Sequence, residues 1–221
     1  MNIFAPYLVG LIVAVFFSVK LYKHKSLHPF MPFYYDFRKR RNTFQLVLKI
    51  ISERNAKILV ETGTSREGLK GTKSNGSATF VFGKWAKINN AKLFSVDISE
   101  DSIKNAKKMI TSEGLNEYVD FQLSDSVKFL AKFDKQVDFL YLDSYDYSND
   151  KEVQIASQIH HLNEFKAIEN QLHSKTVVLI DDCDLPGGGK GKMVVEYMLT
   201  KGWYVELSEY QILLLKSNRQ Q

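Results

Sequence analysis

Hydrophobic positions along the chain fall into two alternating patterns. Short, nearly continuous apolar runs are rich in the β-branched and aromatic residues that favour strands: KILVE ending at Glu61, KLFSVD over 92–97, YVDFQL over 118–123, VDFLYLD over 137–143 and KTVVLIDD over 175–182. Between them lie stretches of helical period. In 41–55 the side chains of Phe44, Val47, Leu48 and Ile51 share one face; SATFVFGKWAKIN opens with Ser77 as an N-cap; SEDSIKNAKKMI carries Glu100 and Asp101 in its first turn and stops at Gly114. SVKFLAKF, the segment 150–172 and KGKMVVEYMLTKG complete the helices, and WYVELSEYQILLLK reads as two closing strands. Apolar strands separated by helices belong to a parallel sheet covered on both faces. The pattern thus predicts an α/β domain with a doubly wound, mostly parallel seven-stranded sheet and a closing antiparallel hairpin. Ligands in such sheets bind outside the carboxyl ends of the strands.

The first residues break this rhythm. From Ile3 to Leu21 only Lys20 is charged, and a helix of that length spans about the 30 Å of a hydrocarbon core, with Tyr7 and Tyr22 near its ends. The expected organisation is a transmembrane anchor over 1–22, a basic juxtamembrane linker over 23–41 and a folded domain over 42–221. The positive-inside rule then places the protein as a single-pass membrane protein with its domain in the cytoplasm. A cleaved signal peptide would want a basic start and a small-residue cleavage pattern, and neither is present. A buried or interfacial helix is the other alternative.

Charge narrows the partners. The net charge of the 221-residue chain is +5, but residues 20–41 alone carry +6, leaving the remainder close to −1. A nearly neutral domain lacks the basic face that phosphate backbones require, so nucleic acid is not an expected partner. Apolar residues at 44% supply a core, and the lone Cys183 excludes an internal disulfide and offers no zinc spacing.

The strand ends carry the chemistry. The first ends in Glu61, Thr62, Gly63, Thr64 and runs into a loop holding Gly68, Gly71 and Gly76, which allows a ligand close to the backbone or is a flexible surface loop. The second ends in Asp97, placed to accept ribose hydroxyls or to cap the next helix. The third ends in Ser124, Asp125 and Ser126, where Asp125 would accept from an adenine amino group or cap a helix.

In that order, ILVETGT, SVDIS, LSDS, VDFLYLDSYDY and VVLIDDCDLPGGGKG resemble class I S-adenosylmethionine-dependent methyltransferases, and among them the catechol, caffeoyl-CoA and macrocin-type sugar O-methyltransferases. The likeness covers about residues 44–216 and rests on the ordered set. It implies a Rossmann-like fold and S-adenosylmethionine as cofactor. It further implies Glu61, Gly63, Thr64, Gly76 and Ser77 at the methionine end, Asp97 and Ile98 at the ribose, and Asp125 and Ser126 near the adenine, with Asp143 also on the cofactor. The loop from Thr64 to Ser77 is longer than the family's compact turn; Gly76 is preferred to Gly68 as its helix-opening glycine, and the extra length is alternatively a lid.

Asp143, Asp181 and Asp182 end the fourth and fifth strands, an all-oxygen cluster suited to Mg²⁺ or another divalent cation, which the resemblance supports; alternatively one carboxylate caps a turn while the others contact solvent or substrate. A metal there would acidify an acceptor hydroxyl and orient it for in-line methyl transfer. Asp143 is the first choice for the base, with Tyr145, Lys190 and Lys192 behind it; the lysines alternatively hold an anionic substrate. His160 and His161 are assigned to packing, since their helix must cover the sheet. The expected activity is O-methylation of a small-molecule or glycan hydroxyl, a sugar or glycoconjugate fitting both the resemblance and a membrane anchor. An NAD-dependent oxidoreductase, disfavoured by the absence of GxGxxG, and a non-catalytic S-adenosylmethionine-binding module are the rivals. A homo-oligomer is compatible with the sequence and not specified by it.

Overall fold

A computed structural model describes residues 4–24, 36–72 and 74–217. Helix α1 (Phe4–His24) forms, but among the described residues no helix is long and apolar enough to cross a membrane. This overturns the expected single-pass anchor over 1–22 and the cytoplasm-facing topology derived from it. Residues 25–35 of the expected basic linker lie outside the described residues.

The remainder follows the predicted alternation: α2 (Arg41–Glu53), β1 (Ile58–Thr62), α3 (Ala78–Asn89), β2 (Lys92–Asp97), α4 (Glu100–Ser112), β3 (Val119–Leu123), α5 (Ser126–Ala131), β4 (Val137–Leu142), α6 (Lys151–Ile168), β5 (Leu172–Ile180), α7 (Lys192–Thr200), β6 (Trp203–Ser208) and β7 (Ile212–Lys216). The seven strands form one sheet in the order β3-β2-β1-β4-β5-β7-β6. It is parallel up to β5, and β7 pairs antiparallel with both β5 and β6. The architecture is the expected Rossmann-like one.

Alternation along each strand sends side chains to opposite faces. In β4, Phe139 and Tyr141 join Phe44, Phe82 and Trp85 on the side of α2 and α3, whereas Leu140 and Leu142 pack with Phe165, Ile168 and Val194 beneath α6 and α7. Phe82 meets Phe139 and Tyr141 edge-on, with centroids 4.7 and 5.4 Å apart, so removing it would cost about 3–5 kcal/mol.

Register positions the site. Thr62 pairs with Val96 and Leu142, and Leu142 with Ile180, so the strands stop in one row. The next residues, Gly63, Asp97, Asp143 and Asp181, therefore stand side by side at the point where strand order reverses. Gly63 is required there: with φ +79° it lets β1 lie so close to the end of β4 that a Cβ would sit 2.4 Å from the Asp143 carbonyl oxygen.

Candidate cofactor and acceptor site

A cleft of about 1060 Å³ opens above this row, with Glu61, Gly63, Thr64, Asp97, Ile98, Asp125 and Ser126 on one side and Arg40, Asp143, Tyr145, Asp182, Lys190 and Tyr210 on the other. Sequence-distant strand ends thus converge as the fold requires.

On the β1–β3 side the acids are singly placed. Glu61 is buried; its Oε2 accepts from Thr79 at 2.8 Å and Ser95 at 2.7 Å, while Oε1 has no protein partner. Burial pushes this carboxyl up to about 8, against those two hydrogen bonds. Asp97 accepts from the backbone N–H groups of Thr64 at 3.0 Å and Ser99 at 2.8 Å, tying the loop after β1 to the loop after β2. The cap of α4 is Ser99, which accepts from Ser102 N–H at 3.2 Å, so Asp97 is not the helix cap. Ile98 is 75% exposed on the cleft wall. Asp125 both lines the cleft and caps α5, accepting from Lys128 N–H at 2.9 Å. Ser126 is hydrogen-bonded to His160 over 3.0 Å.

Two expectations change here. Ser77 precedes α3 but sits at φ +49° with no side-chain cap; its hydroxyl donates to the Gly68 carbonyl at 2.6 Å, because the left-handed backbone turns it away from the helix N–H groups. Gly76 and Ser77 stand behind the cleft wall, whose lining from this loop is Ser65, Arg66, Glu67, Ser74 and Asn75. Gly76 instead makes room for Arg40: a Cβ there would lie 2.6 Å from Arg40 Cδ. The loop after β1 also reaches the opposite wall, where Arg66 pairs with Asp146 at 2.6 Å. Of the two histidines, His161 is buried with Nδ1 on the Ser157 carbonyl at 2.8 Å, the packing role expected of it. His160 lines the cleft, 3.3 Å from the buried Glu164 and with its ring 5.3 Å from that of Tyr145.

On the β4–β5 side every acid is paired. Asp143, Asp181 and Asp182 gather with oxygens within 4.8 Å of one another, as expected from the sequence. Arg40 Nε lies 2.8 and 3.0 Å from the two Asp181 oxygens, and its terminal nitrogen reaches Asp181 at 2.8 Å and Asp182 at 3.2 Å. Lys190 Nζ bridges Asp143 and Asp182 at 3.0 Å each. Tyr141 donates to Asp181 at 2.9 Å and Tyr210 donates to Asp182. Burial opposes the charge of Arg40 and of Lys190, but the carboxylates outweigh it and both pKa values are raised. Asp143 is pushed well above the usual carboxyl range, first by burial and then by Asp181, against the pull of Lys190. Tyr145 holds φ +56° and Asp182 φ +52°; for an aromatic side chain that backbone costs on the order of 1–3 kcal/mol and persists only where surroundings impose it.

The donor set does not fit a divalent cation. Mg²⁺ would need several oxygens at roughly 2.0–2.1 Å, and those offered here already accept from an ammonium and a guanidinium of the same sign. Asp181 is fully buried behind Arg40, away from the cleft wall. Sequence reasoning missed Arg40 because RKRR reads as a solvated basic run; nothing local separates the one buried arginine from its neighbours. Lys190 had a signal in the three glycines before it. A Cβ at Gly189 would meet the Asp182 carbonyl oxygen at 2.2 Å, and that close turn folds the lysine back onto the acids.

The fold and the arrangement of the strand ends define a class I S-adenosylmethionine-dependent methyltransferase. The family described as "Methyltransferase domain" matches residues 71–183, and the chain belongs to it. No curated protein matches its sequence. Among solved structures, a provisionally assigned caffeoyl-CoA O-methyltransferase from Staphylococcus aureus is 16% identical, with TM-score 0.59 over 80% of this chain and 84% of that one. The SAH-bound methyltransferase of Podospora anserina is 12% identical, with TM-score 0.59 over 91% and 87%. An rRNA methylase from Streptococcus thermophilus is 12% identical, with TM-score 0.53 over 81% and 96%. At these identities the likeness carries the fold.

Proposed function

We propose that the protein transfers the methyl group of S-adenosylmethionine to a hydroxyl of a small, polar, sugar-like acceptor. The observation that carries this reading is the division of the cleft: unshared acids on the β1–β3 side and a paired carboxylate–lysine cluster on the other. In this reading Glu61, with an oxygen lacking a protein partner, and the backbone at Gly63 and Thr64 receive the methionine end; Asp97 takes the ribose hydroxyls; Ile98, Asp125, Ser126 and Tyr145 surround the adenine. The acceptor lies against Asp143, Lys190 and Asp182. Its hydroxyl gives its proton to Asp143 as the oxygen bonds to the methyl carbon; the S–C bond breaks, its electron pair stays on sulfur, and S-adenosylhomocysteine remains. The polar wall of Arg66, Glu67, Ser74, Asn75 and Asp146 supports a hydroxyl-rich acceptor. Phe37, 1% exposed, and Arg40 are buried, which supports testing the full chain rather than a fragment from residue 41.

The test is calorimetric titration of the full chain with S-adenosylmethionine, beside Asp97→Ala, followed by label transfer to a panel of sugars and phenols with NMR detection of the new methoxy group. Micromolar binding weakened in the variant supports the cofactor site. A folded chain that ignores the cofactor overturns it, and transfer only to nitrogen or carbon overturns the hydroxyl reading.

A further inference from the structure

In the β4–β5 half of the cleft, each of the three carboxylates is held by a cation fixed in the fold. Lysine and arginine are rarely buried unless paired, yet the Lys190 side chain is 3% exposed and that of Arg40 6%. The backbone is shaped around both. Gly76 leaves the space through which Arg40 passes, Ser74 accepts from the guanidinium at 2.8 Å, and the Tyr210 ring lies 4.7 Å beneath it. Lys190 N–H donates to the Asp182 carbonyl at 3.0 Å, and Gln158 donates to the carbonyls of Gly187 and Gly189, at 3.1 and 3.0 Å, pinning the loop that carries it. None of this scaffolding would be needed by a cluster awaiting an ion from solution.

We infer that Arg40 and Lys190 are a built-in counter-ion pair standing in the place of a divalent cation, so that this site takes up no metal and positions its acceptor by the Lys190 ammonium. The inference rests on the methyltransferase reading for what the acceptor is, and on the ion pairs alone for the exclusion of metal. Like charges explain the exclusion: a dication among these carboxylates would sit within a few ångströms of two fixed positive groups. The consequence for substrate class is direct. An ammonium holds one oxygen by a hydrogen bond, so a single hydroxyl suffices and no second oxygen for chelation is required.

The experiment uses the full chain and Mn²⁺ as the probe, followed by electron paramagnetic resonance, with S-adenosylmethionine titrated separately in excess EDTA and in millimolar Mg²⁺. The wild type is expected to bind no Mn²⁺ tighter than millimolar, and its cofactor affinity to change less than about twofold between the two conditions. Lys190→Met, which removes one fixed cation and leaves the carboxylates, is expected to gain Mn²⁺ affinity by roughly tenfold or more, whereas Lys190→Arg, which keeps the charge, gains none. Micromolar Mn²⁺ binding by the wild type, abolished in Asp182→Asn, overturns the inference. So does a folded Lys190→Met that gains nothing, because the lysine is then not what keeps the ion out. Should Lys190→Met fail to fold, the wild-type and Lys190→Arg arms decide alone. Loss of cofactor binding in every condition would strike the methyltransferase reading and leave the Mn²⁺ result standing.

Discussion

On the β1–β3 side of the cleft, Glu61 and Asp97 meet only neutral donors, hydroxyls and backbone N–H groups, and Glu61 keeps an oxygen without a protein partner. On the β4–β5 side, Asp143, Asp181 and Asp182 share two cations and two tyrosine hydroxyls, with partners supplied from as far as 142 residues away. In the proposed reading the first half receives a ligand that brings its own positive charge, as the sulfonium and ammonium of S-adenosylmethionine do. In the second half three carboxylates already share two fixed cations. One row of strand ends thus yields two electrostatic environments, and the difference lies in which residues fold back onto the row.

The largest blow to this contrast should come from Arg40→Met. It leaves the fully buried Asp181 without its cation, and breaking one partner of a buried pair costs about 3–5 kcal/mol; urea unfolding measures it, and a loss below about 1 kcal/mol would mean the pair does not hold the cluster together.

The contrast is sharpened by pH. Glu61 has its folded pKa raised to about 8, so its contribution to the stability of the cofactor-free chain is full below the ordinary carboxyl range and is lost as pH rises through about 8. Glu61→Gln should therefore flatten the decline and stabilise the cofactor-free chain at pH 8 by on the order of 3 kcal/mol. Because a cationic cofactor favours the ionised carboxylate, wild-type affinity should also tighten as pH climbs toward 8. A variant with an unchanged pH profile would remove Glu61 from the account.

Asp97→Ala comes next. Hydrogen bonds to a charged group are worth about 1.5–3 kcal/mol, or roughly 10–100-fold in cofactor affinity, read by calorimetry. The smallest change is expected from Arg66→Ala: its pair with Asp146 is more than half exposed, such pairs contribute about 0–1 kcal/mol, and even that should fade at high salt. A large, salt-insensitive loss would make the bridge over the cleft an essential part of the site.

The strands and helices from residue 41 onward were legible because burial on both faces leaves continuous apolar runs and helical stripes, and the acids at the strand ends were legible because parallel strands in one register must finish in one row. The apolar start of the chain misled: composition alone suggested a spanning helix, and among the described residues none is long and apolar enough. Ser77 misled because a capping residue type does not determine φ, and here the left-handed backbone sends its hydroxyl to Gly68. His160 was discounted because a helical stripe does not tell which of two adjacent histidines meets the sheet and which the cleft.

By itself, the sequence determined the α/β architecture, the converging carboxylates and the family's cofactor, since each depends on local pattern and strand order. Tertiary structure alone decided the electrostatic state of those carboxylates. Arg40 lies 141 residues from Asp181 and Lys190 47 from Asp143, and no periodicity links them. Whether three acids await a metal or are already paired depends on which distant side chains the packing brings within about 3 Å, and charge at that distance outweighs any motif.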